Sequence, residues 1–281
     1  LSESGNEIKL LSPERYVERR LDYRRATGQE ANPNNVADYL TTLEADNYLN
    51  GRTTDLWDLI SQQGSINSVD LNISGRSESV NYYLSSSFSD NKGLIFNDRE
   101  KRSTFRANVD IRLADWIKAG VNTLFTRRDI SGEEASIRNA YRSSPLGTFF
   151  NEDGSPTQFP VPSEQAATNP LWEPSLTDNE DISNNLFSNF YTELNSNLLG
   201  GEISYRLNFS PNIRWNHEYN YIRKDPNVDF NNTSAVKLNR NDYDWLFENF
   251  VTYKKDVGED HSFDVTLLYS RNHTEYESTT A

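Results

Sequence analysis

Apolar and polar side chains alternate along the chain from Ser65 onward, most cleanly between Arg102 and Arg128. Phe105, Ala107, Val109, Ile111 and Leu113 alternate with Arg106, Asn108, Asp110 and Arg112, and after Ala114-Asp115-Trp116 the pattern resumes with Ile117, Ala119, Val121, Thr123 and Phe125. Successive strand side chains point to opposite faces, so this stretch predicts a hairpin with one apolar and one polar face. Folding about Asp115 sets Leu113 beside Ile117, Val109 beside Val121 and Phe105 beside Phe125, which keeps the apolar residues together. Each arm has the ~9–11 residues that a tilted strand needs to cross a bilayer.

The same alternation marks further strands. Val69, Leu71 and Ile73 form one, and Val80, Tyr82, Leu84 and Phe88 form the next after a tight turn at 75–77. Later come Leu186 to Asn195, then Ile203 to Tyr221, then Tyr243 to Tyr253, then Phe263 to Tyr269. Pro211 sits inside one of these and predicts a bulge or an extension beyond a membrane wall, because proline cannot donate to a ladder. Short connections near 75–77, 114–116, 198–201 and 255–260 alternate with long ones at 91–101, 129–184 and 223–240. Transmembrane barrels have short turns at one rim and long loops at the other. The fold class expected is all-β: about eight strands of an antiparallel, meandering transmembrane β-barrel, as residues 65–281.

Residues 1–64 read differently. Ser12-Pro13-Glu14 gives a cap, a proline at the first helical position and an acid in the first turn. Further helices are expected over Val36 to Tyr48 and Thr54 to Ser61. The region reads as a small helical insertion packing on itself, on the extracellular side. The segment 130–184 is a long extracellular loop, and loops of that length are functional or disordered. Its Tyr141, Phe149, Phe150, Phe159 and Trp172 supply apolar surface that favours partial order.

Composition then narrows the classes. The 281 residues include 42 acidic and 28 basic side chains, a formal charge of -14, which argues against nucleic-acid binding. Mean hydropathy is -0.79, and no run approaches the ~18 apolar residues of a membrane helix. With no cysteine there is no disulfide or thiolate chemistry. No charged-then-apolar leader follows Leu1, and the last strand looks cut near Ala281, so the chain is expected to be an internal piece of a longer protein.

Candidate chemistry is sparse. His217, His261 and His273 form no metal-binding pair, and neither GxSxG nor a phosphate-cradling loop occurs, so no metal, cofactor or catalytic residue is assigned. The acids Glu133-Glu134 and Asp178 to Asp181 read as solvated loop charge, with an oxygen-ligated Ca²⁺ at the second cluster as the functional alternative. Tyr141, Phe149, Phe150 and Trp172 admit two readings: contact with substrate or a capping partner, or packing of the loop. Trp116 at a short turn reads as an interface anchor.

Several segments carry a resemblance to a known family. SPERYVERR, DLWDLI ahead of NSVDLNISG, VNYYLSSSFSDNKGLI, RSTFRANVDIRLADWIKAGVNTLFTR, NPLWEP and YRLNFSPNIRW follow in that order. Together they resemble the SusC/RagA-type TonB-dependent outer-membrane transporters. The resemblance implies a non-enzymatic importer of glycans or peptides in the outer membrane. Its implied partners are outer-membrane lipid, a SusD-like surface lipoprotein, and the TonB complex acting through parts outside this chain. A soluble or surface-exposed β-rich polysaccharide-binding module is the competing reading.

Overall fold

The computed structural model describes residues 10–226, 233–258 and 260–281. One antiparallel sheet of eight strands dominates it, each strand paired with the next in sequence. The strands are β1 (Ser65–Arg76), β2 (Val80–Lys92), β3 (Arg99–Ala114), β4 (Ile117–Asp129), β5 (Thr177–Leu198), β6 (Gly201–Ile222), β7 (Ser234–Val257) and β8 (His261–Thr280). Among the described residues, helices lie only at the long-connection end: α1 (Pro13–Ala26), α2 (Thr42–Leu49), α3 (Leu56–Ile60), α4 (Ile137–Arg142) and α5 (Trp172–Leu176). The helix expected over 36–48 is broken into a 3₁₀ turn at Val36–Asp38 and α2, because Thr41 caps a new helix start.

The β3–β4 register holds Val109 opposite Val121 and Phe105 opposite Phe125. Near the turn the expectation fails. Ala114, not Leu113, pairs with Ile117, and the register shifts between Arg112 and Ala114. A two-residue turn at Asp115-Trp116 thus leaves Leu113 as the extra residue of a bulge. Pro211 makes no bulge. It pairs with Trp245 on β7, while the β5–β6 ladder skips from Phe187↔Asn212 to Phe190↔Phe209 in unchanged register. The missing proline N–H explains the gap, and the Asn189 side chain closes it with a 2.7 Å bond to the Ser210 hydroxyl.

Two strands start earlier than their apolar patterns. β5 begins at Thr177, so part of the segment 130–184 is strand, with Asn184 opposite Trp215 and Asp178 opposite Tyr221. β7 begins at Ser234, inside the segment read as a polar loop at 223–240, of which 227–232 lie outside the described residues. Both extensions carry few apolar residues (Ile182 on β5, Ala235, Val236 and Leu238 on β7) and are held by backbone pairing, which hydropathy does not register.

The two faces differ chemically. One carries Val69, Leu71, Ile73, Phe105, Val109, Val121, Phe125, Phe209, Trp215 and Trp245, with Phe125 stacked on Trp215 at 6.0 Å between ring centres. On β7 this face is apolar from Tyr243 to Tyr253 apart from Asn249, matching the ~9–11 residues of a bilayer crossing. Past it the same face turns polar, with Asn239 and Asn241 on β7 and Glu277 on β8, while Arg271 and Glu275 of β8 stand opposite Phe247 and Tyr243 within the run. Even the hydroxyls set into the apolar face are matched, Thr123 against Ser188. Among the described residues no helix is long and apolar enough to cross a membrane.

Candidate functional site

Side chains are most deeply buried where the long connections meet, not in the sheet. Val17 of α1, Tyr39, Leu40, Ala45 of α2 and Leu146 of the 130–176 connection form one cluster. Ile60 of α3, Ile95 of the β2–β3 loop, Ala135 and Ala140 of α4 form a second. The helical region therefore packs jointly with the long loop, whereas the sequence suggested an insertion packing on itself. Backbone bonds seal the joint, with the Thr54 amide donating to Pro145 at 2.9 Å and the Phe96 amide to Ile60 at 2.7 Å. Arg20 of α1 reaches Glu164 across the loop at 2.6 Å.

A buried carboxylate organises the first cluster. Glu44 is wholly removed from solvent and accepts from the Thr41 amide at 3.0 Å, the Thr41 hydroxyl at 2.9 Å and the Tyr16 hydroxyl at 2.7 Å. Burial alone would raise its pKa, but the bonds from Thr41, Ser144 and Tyr16 together hold it below the ordinary carboxylate value. Burial, and with it the Glu44 charge, pushes the Tyr16 phenol up. Asn47 donates to the Leu146 carbonyl at 2.8 Å, a second polar tie between helix and loop.

This assembly divides the four loop aromatics. Tyr141 on α4 and Phe150 remain about half exposed, at 49% and 46%. Phe149 is 3% exposed and packs inside the loop, while its carbonyl accepts from the buried Asn169 side chain at 2.6 Å. Trp172, at the start of α5, donates from Nε1 to the buried Asp225 carboxylate at 2.7 Å and so ties the long loop to the β6–β7 connection. Ile137, one turn before Tyr141 on α4, is also exposed, which the sequence reading missed because it sought rings alone.

The acid clusters do not converge. Asp178 and Glu180 point to one face of β5 and Asp181 to the other, with Asp178 3.7 Å from Arg223 and Glu180 3.8 Å from His217. Among the described residues no three metal-ligating side chains come together.

The polar face of the sheet forms ordered rows. Ser74, Tyr83, Asn108, Asn122 and Asn189 face one another strand by strand from β1 to β5. One row towards the short turns, Tyr191 lies over Gly120, donates to Asp110 at 2.6 Å, and carries the Arg206 guanidinium 4.5 Å above its ring. Sequence alternation marks these positions only as polar, and cross-strand register is needed to see the rows.

No family model matches the chain. TonB-dependent receptor P26 of Formosa agariphila is 28% identical over 212 residues, covering 74% of this chain and 21% of the receptor. TonB-dependent receptor P39 of the same organism is 26% identical, covering 74% and 20%. The RagAB peptide importer in its closed-closed state superposes with a TM-score of 0.72 at 16% identity, over 97% of this chain and 33% of that one. Its open-open state gives 0.68 at 19% identity, over 94% and 32%. The chain is thus similar in sequence to TonB-dependent receptors and shares its fold with the RagAB importer, in line with its resemblance to the SusC/RagA-type transporters. Its fold is a barrel wall, and the alternative of a soluble polysaccharide-binding module has no support in these likenesses. The relatives are named as receptors and not as enzymes. The chain spans about a fifth of the length of the two receptors (21% and 20%).

Proposed function

We propose that this chain supplies eight adjacent strands to the wall of an outer-membrane importer, together with loops that face the cell exterior. The observation carrying the proposal is the sheet itself: apolar on one face, polar on the other, with turns of two or three residues at one end and a packed loop assembly at the other. In this reading residues 65–281 form the wall, and the helical region 1–64 and the long loop lie outside the cell. The apolar face meets outer-membrane lipid and the polar face lines the transport path.

The cargo is an oligosaccharide, delivered under a SusD-like surface lipoprotein seated on the loop assembly, and TonB acts through parts of the transporter outside this chain. A peptide cargo is the second reading, favoured by the fold shared with a peptide importer. Tyr141 and Phe150 offer exposed rings for the lipoprotein or the cargo, and Phe149 and Trp172 act beneath them by holding the loop in place. The test replaces Tyr141 and Phe150 singly by Ala in the full-length transporter and measures cargo uptake and lipoprotein association at matched abundance. Loss of either supports the proposal. Unchanged uptake and association in both variants would leave these rings without a functional part.

A further inference from the structure

The polar face carries several arginines, and three of them have an acid against them. Arg128 reaches Glu100 at 2.7 Å, Arg214 reaches Asp244 at 2.8 Å, and Arg206 lies 3.6 Å from Glu193. At the short-turn rim, Arg76 and Arg112 line a recess with Glu78 and Asp110. Arg76 and Arg112 make no ion pair among the described residues but have those acids close by, whereas Arg102 and Arg106 of β3 have no free acid beside them. Both are exposed, and among the described residues neither has an ion-pair or hydrogen-bond partner. The one acid beside Arg102, Glu100, is already held by two bonds from Arg128, at 3.0 and 2.7 Å.

Register sets what surrounds them. Arg106 faces Ser85, Thr104 faces Ser87, and Arg102 faces Ser89, so a column of hydroxyls on β2 runs beside the two guanidinium groups. Four residues apart on one strand, the two charges stand about 13 Å from one another along it. In a chain of net charge -14, two cations left without an acid on one face attract a ligand that brings its own negative charge. The guanidinium fork matches sulfate and carboxylate oxygens in pairs.

We propose that Arg102 and Arg106, with Ser85, Ser87, Ser89 and Thr104, form a recognition strip for an acidic oligosaccharide bearing sulfate or carboxylate groups. The inference rests on the importer reading above and names its cargo class. An acidic peptide fits less well. Peptides dock by adding a strand to a free sheet edge or by filling apolar pockets, whereas β3 pairs on both sides, with β2 and β4. The flanking hydroxyls and the neighbouring row of Tyr83, Asn108 and Asn122 both donate and accept, as sugar hydroxyls require.

The experiment uses the full-length transporter and calorimetric binding of three probe sets: neutral oligosaccharides, their sulfated and uronic counterparts, and hexaglutamate. Acidic oligosaccharides should bind more tightly than neutral ones, and the Arg102→Gln/Arg106→Gln variant should lose about tenfold of that affinity with neutral binding unchanged. Arg206→Gln, whose charge Glu193 already offsets, is the control. Equal binding of neutral and acidic sugars, with no effect of the double variant, overturns the strip and leaves the importer intact. Preference for hexaglutamate overturns the carbohydrate class. Failure of every probe to bind the parent protein overturns the importer reading as well. A second measurement needs no cargo. Ser87→Cys should react faster with an anionic than with a cationic thiosulfonate, and the preference should vanish in the double arginine variant. Equal rates before that change refute the strip outright.

Discussion

The Tyr16 hydroxyl donates to Glu44 at 2.7 Å inside the loop assembly, joining α1 to α2 around a carboxylate that water does not reach. Each donor left without its acceptor in such a place costs about 1–3 kcal/mol. Glu44→Ala should therefore loosen the whole assembly. Amide exchange should quicken at Thr54, whose bond to Pro145 ties helix to loop, while strand amides stay protected. The pH sense follows from the lowered pKa. Glu44 stabilises the assembly above its ordinary value of 4.5, and that contribution is lost as pH falls through its lower folded value. Exchange at Thr54 that is indifferent both to the substitution and to acid would contradict this account.

Gly120 and Tyr191 form a second tight pair, this time on the polar face of the sheet. A methyl group on Gly120 would lie 2.4 Å from the Tyr191 ring and 2.8 Å from an Asp110 oxygen. Overpacking of this kind costs about 1–3 kcal/mol. Gly120→Ala should lower the thermal stability of the transporter when Tyr191 is present and have no further effect in a Tyr191→Ser background. Additive losses in the two variants would mean that the glycine serves some other need.

How far the sequence speaks depends on where apolar side chains alternate. They do so from Phe105 to Leu113 and again from Ile117 to Phe125, and the cross-strand partners Val109 and Val121 follow from the pattern alone. Leu113 shows the limit. A turn shorter by one residue shifts the register locally, and the order of apolar and polar residues does not encode that length. Thr177 to Ser183 are illegible for another reason. Beyond the apolar band both faces of a strand meet water, so backbone pairing continues with no hydropathy signal. The loop site was half readable. Its rings could be named, but Phe149 is inward and Phe150 outward because of packing around Leu146 and Asn169, and Trp172 meets Asp225 from 53 residues away.

Topology gives a third expectation. Asp115 and Gly258 sit at turns on the end of the sheet opposite the loop assembly, Gly258 with a φ of +69° that suits glycine. An epitope inserted after Gly154, in an exposed turn of the long loop, should bind antibody on intact cells expressing the full transporter. Epitopes at Asp115 or Gly258 should become accessible only once the outer membrane is opened. Labelling at Gly258 on intact cells would invert the assignment of the two rims.

The fourth expectation separates the faces residue by residue. Val109 and Val121 are opposite one another on the apolar face, and their neighbours Asn108 and Asn122 are opposite one another on the polar face. A charge placed on the lipid side near the middle of a bilayer costs about 2–4 kcal/mol, falling towards zero near its edges. Val109→Arg and Val121→Arg should each destabilise the folded transporter by that order, read as earlier loss of heat resistance in detergent or as a lower urea midpoint in vesicles. Asn108→Arg and Asn122→Arg, one residue away, should cost far less, since their side chains meet water. Spin labels give the same contrast without a charge: lipid contact at 109 and 121, water at 108 and 122. Alternation along the strand is what the barrel wall requires, because a sheet wet on both faces would treat the two parities alike. Equal water access at 108 and 109 would therefore remove the membrane wall itself, and with it the proposed path along the polar face.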